Sequence, residues 1–353
     1  MRLNFRWFGP DDPVTLENIR QIPGLKGIVT ALHDVPVGEP WSTAALGARV
    51  EQIEKAGLRL EVIESVSIHE DIKLGLPDRD RYVEAFCESI RTIGEAGIGV
   101  LCYNFMPVFD WMRTRLDAPM PDGSTTLLFE QTDMERTDPV SSPPGLPAWP
   151  VDGRPLGDVL ALYENVTEEH LWDNLAWFLE RVVPVAEENG VRLAIHPDDP
   201  PWSIFGLPRI IRDLPALQRL LALVDSPSNG ITFCTGSLGA DPANDLPAMI
   251  RSIGSRVHFA HCRNVRWTGK RSFVEVPHLS AAGDVDMLEV LKALREVGFA
   301  GPLRPDHGRM IWGESGRPGY GLYDRALGAT YLQGLWEGIG AASRPDDPGA
   351  PPS

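Results

Sequence analysis

Short β-rich runs alternate with longer amphipathic helical patterns from Arg2 to Asp306, and this alternation constrains the fold more than any other feature of the chain. A period of two followed by a period near 3.6, repeated, is the pattern of βα units around a parallel sheet. Eight runs carry the strand pattern: 2–8 (RLNFRWF), 27–32 (GIVTAL), 59–66 (RLEVIESV), 99–105 (GVLCYNF), 191–196 (VRLAIH), 230–234 (GITFC), 257–262 (VHFAHC) and 301–306 (GPLRPD). Helical patterns are expected at 43–56, 79–96, 167–189, 207–224 and 285–297. Gly57, Gly97, Gly190 and Gly298 stand just past four of them, where a left-handed residue ends a helix. No Gly-x-Gly-x-x-Gly follows the first strand, which favours a closed barrel over a dinucleotide-binding sheet. The expected fold class is therefore α/β, a (β/α)8 TIM barrel, with residues 1–342 as a single barrel domain.

The spacing is regular except between the fourth and fifth strands. Residues 106–160 are rich in Pro, Asp, Gly and Ser (MPVFDWMRTRL, PMPDGS, SSPPGLPAWP). They read as an insertion after strand 4 on the C-terminal rim, placed to cover a site there. The tail 343–353, SRPDDPGAPPS, reads as disordered. With 43% hydrophobic and 23% charged residues in 353, the chain can bury a large core without disulfide or metal staples. No apolar run approaches the roughly 20 residues of a membrane span, and Met1–Arg6 reads as a strand, not a signal peptide. A cytoplasmic protein without a membrane partner is expected. A net charge of −16 argues against nucleic acid, which demands clustered Lys and Arg. An acidic chain that binds an acidic small molecule needs a local positive centre, either a metal ion or inward arginines. Cys87, Cys102, Cys234 and Cys262 form no Cys-x-x-Cys pair and suit neither a disulfide framework nor a zinc ribbon.

Four of the strand ends carry the chemistry. The fifth strand ends at His196, the sixth at Cys234, the seventh at His261 and the eighth at Asp306. In a closed barrel these ends lie side by side on the rim where barrel enzymes place their sites. Parity supports convergence: Ala194 and His196, Thr232 and Cys234, and Arg304 and Asp306 oppose the apolar sets Leu193/Ile195, Ile231/Phe233 and Leu303/Pro305. The seventh strand fits less cleanly, because Val257 and Phe259 share a face with His261. Singly, a strand His is commonly a satisfied core residue, a Cys structural and an Asp a helix cap. Together they read as one metal site. Imidazole and thiolate are compatible with Zn²⁺ or Fe²⁺, and the carboxylate keeps Mn²⁺ in play. Four protein ligands close a structural zinc site, whereas catalysis needs a further position, so five- or six-coordinate Mn²⁺ or Fe²⁺ is expected.

His307 follows Asp306, and Tyr320 lies in the loop GESGRPGYG; each reads as a proton-transfer group or as a loop hydrogen bond. Arg6 and Arg304 lie in strands, where a buried charge needs a partner, and Asn104 ends the fourth strand. His69, in VSIHEDIK, reads equally as a solvated rim or a substrate contact. Arg6, His69, Asn104 and Arg304 are the substrate-binding candidates. His258 and Cys262 are expected to face the helix layer, and His170 a helix surface; His33 and His278 are loop residues of open role.

The chain also resembles the mannonate dehydratase family over roughly residues 1–335. The matching stretches include RWFGPDDPVTLENIRQIPG, TALHDVPVGEPW, ESVSIHEDIKLG, CYNFMPVFDWMRT, LAIHPDDPP, FCTGSLGA, HFAHCRNV and LRPDHGRMIWGE followed by PGYGLYDRALG. The resemblance implies a xylose-isomerase-like barrel that converts D-mannonate to 2-dehydro-3-deoxy-D-gluconate and water, in hexuronate (glucuronate) catabolism, with Mn²⁺ or Fe²⁺. It implies His196, Cys234, His261 and Asp306 as ligands and His307 with Tyr320 as the proton-transfer pair, without deciding which is base and which acid. A homo-oligomer, dimer or larger, is expected. Two alternatives stand: a metal-dependent sugar isomerase or epimerase on the same barrel, and a sugar-acid-binding protein without turnover.

Overall fold

The computed structural model describes residues 1–141 and 154–342. Twelve strands are formed among them: β1 Arg2–Arg6, β2 Gly27–Thr30, β3 Arg59–Glu64, β4 Val100–Tyr103, β5 Arg115–Pro119, β6 Thr125–Phe129, β7 Arg192–Ile195, β8 Asn229–Cys234, β9 Val257–Cys262, β10 Asn264–Gly269, β11 Ser272–Val276 and β12 Pro302–Pro305. Eight of them close a barrel in the order β1-β12-β9-β8-β7-β4-β3-β2, all neighbours parallel. These are the eight expected strands: 257–262 forms as expected, 230–234 starts one residue earlier, and the other six are trimmed at one end or both. The expected tail 343–353, and residues 142–153 of the expected insertion, lie outside the described residues.

Helices form where the sequence caps them. Thr43–Lys55 starts at Ser42, whose side chain accepts from Ala45 N, and Gly57 follows at φ 77°. Gly97, Gly190 and Gly298 likewise hold positive φ just past their helices, a conformation that costs glycine nothing. One helix is shorter than its periodicity predicts. The pattern 207–224 forms helix only over Leu214–Leu223. Pro208 disfavours helical backbone at Leu207, which instead bridges to Ile204, and Asp213 caps the helix by accepting from Ala216 N at 2.9 Å.

The packing separates into two shells. Outward residues such as Leu193, Ile195, Ile231, Phe233 and Leu303 join the large cluster formed with the helices. Val29, Val62, Val100, Cys102, Ala194 and Phe259 form a second cluster and fill the barrel lumen. The apparent anomaly of the seventh barrel strand follows from this. The β8–β9 register shifts between Ile231↔Val257 and Thr232↔Phe259, so His258 sits in a bulge. A bulge resets the alternation. Val257 and Cys262 therefore pack outward, and Phe259 fills the lumen with its ring 4.5 Å from that of His261.

The insertion is more than a cover. Its hairpin β5–β6 joins a second hairpin, β10–β11, in an antiparallel sheet ordered β10-β11-β6-β5. The sequence reading of eight strands omitted both hairpins. Phe129 stacks on Phe273 at 5.7 Å, with Trp202 against both, and Thr125 bridges to Met310 beyond β12. The sheet is thereby fixed beside the C-terminal mouth of the barrel.

Candidate metal and proton-transfer site

β7, β8, β9 and β12 are consecutive around the barrel, so the four predicted ligands meet at one arc of its mouth. His196, Cys234 and His261 each bring a ligand atom within 4.8 Å of the others. Asp306 lies at the edge of this group, with Oδ2 3.5 Å from Cys234 Sγ and Oδ1 3.8 Å from His261 Nδ1. Oδ1 is also ion-paired with Arg304 Nη1 at 2.7 Å, and Oδ2 accepts from Arg263 Nε at 2.8 Å. Burial opposes ionisation of Asp306, yet Arg304, His307, His261 and Arg263 hold it well below the usual carboxylate range.

Burial alone would raise the Cys234 thiol; Arg263 and His196 bring it down to about 5 against the charge of Asp306. Ser237 N and Oγ also donate to Sγ, at 3.4 and 3.1 Å. His196 is the counterpart: burial disfavours its cation, while Cys234, Asp306 and Glu64 raise it to about 9. Its Nδ1 donates to Pro197 O at 2.7 Å, which leaves Nε2 for the cluster. Among the described residues, the fully buried His261 Nε2 has no hydrogen-bond partner, although Glu64 Oε2 is 3.3 Å away. A thiolate, two imidazoles, a carboxylate and one orphaned ring nitrogen fit a divalent cation.

Next to Asp306, His307 Nε2 lies 3.0 Å from Tyr320 Oη. Burial raises the Tyr320 phenol above its ordinary range, so it stands as an O–H donor at neutral pH. Trp111, from the insertion, packs its ring 4.8 Å from His307. Arg6, Asn104 and Arg304 line the same pocket as His196, Asp306, His307 and Tyr320. Arg304 has the partner its burial demands, with Nη2 2.8 Å and Nε 3.1 Å from Glu64. Arg6 Nη1 donates to Glu64 O.

His69 is placed elsewhere. It caps the helix Glu70–Leu74, its Nδ1 accepting from Asp71 N at 3.1 Å, and its ring stacks on Tyr82 at 3.5 Å. A histidine followed by two acidic residues is here a helix start, not a pocket contact. His33 does line the pocket; burial first, then Arg6, lowers it to about 3 and keeps it neutral. His170 completes a capping box on the helix Glu168–Glu188, and His278 is buried outside the pocket lining.

Several residues of the site escaped the sequence reading. Glu64 ends β3 on the inward parity set by Val62, so the test applied to the last four strands would have found it. Glu275, whose carboxylate oxygens are both 3.0 Å from His307 Nδ1, lies on the omitted hairpin β10–β11. Arg113 and Asp199 join it in a buried ion network with Arg263. No local pattern marks that network, because its members come from four separate segments.

Residues 1–345 match the family model described as D-mannonate dehydratase (UxuA). A curated relative from Halalkalibacterium halodurans, mannonate dehydratase 2, is 58% identical over 343 residues, covering 96% of this chain and 99% of its own. The crystal structure of mannonate dehydratase from Streptococcus suis serotype 2 superposes with a TM-score of 0.90 at 49% identity, covering 100% of this chain and 99% of that one. An L-ribulose 3-epimerase structure superposes with a TM-score of 0.55 at 15% identity, covering 98% of this chain and 99% of that one, a likeness of fold alone.

Proposed function

This chain belongs to the D-mannonate dehydratase (UxuA) family of hydro-lyases, and from that premise we propose how its residues divide the dehydration of D-mannonate to 2-dehydro-3-deoxy-D-gluconate. His196, Cys234, His261 and Asp306 would hold the metal. When bound, a divalent cation supplies Lewis-acid stabilisation of the negative charge that builds on the substrate carboxylate. Mn²⁺ or Fe²⁺ suits a mixed thiolate, imidazole and carboxylate set that must leave room for substrate.

The remaining chemistry belongs to protein groups. A proton must leave C2, and the C3 hydroxyl must leave as water, since hydroxide is a poor leaving group. His307 takes the C2 proton and Tyr320 gives its phenolic proton to the departing hydroxyl. The observation that carries this reading is the 3.0 Å contact between His307 Nε2 and Tyr320 Oη. After elimination, the imidazolium returns its proton to the phenolate across that contact, and both groups are reset. The enol tautomerises to the 2-keto acid. Arg6, Asn104 and Arg304 line the pocket and are assigned to substrate hydroxyls and carboxylate. The isomerase or epimerase alternative retains only a likeness of fold.

The reading extends to a cytoplasmic, homo-oligomeric enzyme of hexuronate catabolism whose residues 1–342 act as one catalytic unit. No described helix is long and apolar enough to cross a membrane. Exposed Trp312 and Tyr323, 5.5 Å apart, with Leu327 nearby in sequence, offer an apolar surface for a second copy.

His307→Asn tests the roles. It is expected to lower kcat by about 10²-fold or more while metal content is unchanged. A variant with near-normal kcat would remove His307 from the proton transfer.

A further inference from the structure

The omitted hairpin β10–β11 places Glu275 behind His307, on the side away from Tyr320. The carboxylate is 4% exposed, and both its oxygens lie 3.0 Å from His307 Nδ1. Two buried guanidinium groups hold it: Arg113 donates to Oε1 from Nε at 2.9 Å and Nη2 at 2.6 Å, and Arg263 from Nη1 at 2.6 Å. Glu275 is not the sole partner of these arginines. Arg113 is also bidentate to Asp199, at 2.8 and 3.1 Å, and Arg263 contacts Asp199 and Asp306. A purely neutralising role therefore leaves the contact with His307 unexplained.

We infer that Glu275 is a positioning residue for the dehydration: it fixes His307 in the Nδ1–H tautomer and so makes Nε2 the atom that receives the C2 proton. The inference rests on the reading of His307 as the base. An ionised carboxylate only accepts hydrogen bonds, so the imidazole nitrogen facing it must carry a proton. In a neutral ring the other nitrogen then has the lone pair. That nitrogen, Nε2, faces Tyr320 Oη in the pocket. The tautomer is thus assigned from the hydrogen-bond network, with Glu275 as its cause. The same orientation sets the acid: Tyr320 donates to Nε2 before substrate arrives, so the phenol enters the reaction protonated.

Glu275→Gln separates this from a structural role. The two arginines claim the amide oxygen, so the amide NH2 group turns to His307 Nδ1 and demands an acceptor there. The proton moves to Nε2, and the base is lost with little change in shape. The expected result is a fall in kcat of about 10²-fold or more with KM and metal content little changed. Glu275→Asp keeps the charge and is expected to recover part of kcat. The direct readout is the two-bond ¹⁵N–¹H correlation spectrum of histidine-labelled enzyme loaded with diamagnetic Zn²⁺. The chain has 8 histidines, and His307 is identified by its absence from the His307→Asn spectrum. The Nδ1–H pattern is expected in the parent and the Nε2–H pattern in Glu275→Gln. An Nε2–H pattern in the parent overturns the inference without any variant, even if Glu275→Gln fails to fold. Full kcat in folded Glu275→Gln overturns it as well. If His307→Asn is inactive while Glu275→Gln is fully active, the base assignment stands and only the role of Glu275 falls; full activity of His307→Asn removes both.

Discussion

Cys234 behaves unlike the three other cysteines. Burial raises Cys87 to about 11 and pushes Cys102 and Cys262 up as well. Cys234 is as deeply buried, but Arg263 and His196 bring it down to about 5. A thiolate at neutral pH is able to ligate a metal, whereas the other three remain inert thiols. Cys234→Ser replaces a soft anion with a neutral hydroxyl that accepts the same Ser237 contacts. It is expected to weaken metal binding by about 10²-fold or more, read as metal per chain by elemental analysis after dialysis. Unchanged stoichiometry would remove Cys234 from the ligand set. Residues of this kind are legible because they end strands or directly follow them: His196, Cys234 and Asp306 follow from the strand pattern and parity, and His261 from its strand end alone, since the register shift in β9 hides its parity. His69 is not, because a helix cap and a pocket histidine look alike until Asp71 N is seen donating to Nδ1.

At the level of elements, the barrel strands were readable because burial on both faces leaves compact β-rich runs bounded by capped helices. The sheet β10-β11-β6-β5 was not read. Its hairpin RWTGKRSFV turns at Lys270 and Arg271, but Arg266 and Trp267 are exposed and break the apolar pattern that marked the other strands. Its hold on the site comes from long-range contacts that no window of sequence contains. Phe273 is the anchor: fully buried, stacked on Phe129 and within 6.1 Å of Trp202. It lies two residues before Glu275 on the same strand. Phe273→Ala is expected to cost about 3–5 kcal/mol in urea unfolding and to lower kcat, because the support of Glu275 loosens with the cavity. A variant that lost stability and kept full kcat would show that the sheet does not position the site.

Across the whole molecule, a surface excess of acid surrounds an interior of arginines. The chain carries −16, yet Arg113, Arg209, Arg263, Arg304 and Arg325 are among its largest fully buried side chains. Their counter-charges include Glu64, Asp199, Glu275 and Asp306. Burial works against each of these carboxylates, but the arginines prevail: Glu275 is held at about 2, and the other three below the usual range. A carboxylate depressed on folding contributes stability above its unfolded value near 4 and loses it as pH falls toward the folded value. With a chelator present to remove any metal contribution, the urea midpoint is expected to fall steeply below about pH 4.5. A midpoint unchanged down to about pH 3 would show that the network adds nothing on folding. The central claim is that the barrel mouth eliminates water from a sugar acid with the help of a bound divalent cation. The most direct measurement is to incubate metal-loaded protein with D-mannonate, with and without a chelator, and to identify the product. The account predicts a 2-keto-3-deoxy acid, lost on chelation and restored by Mn²⁺ or Fe²⁺; an isomer of unchanged mass, or no product from the loaded enzyme, would contradict it.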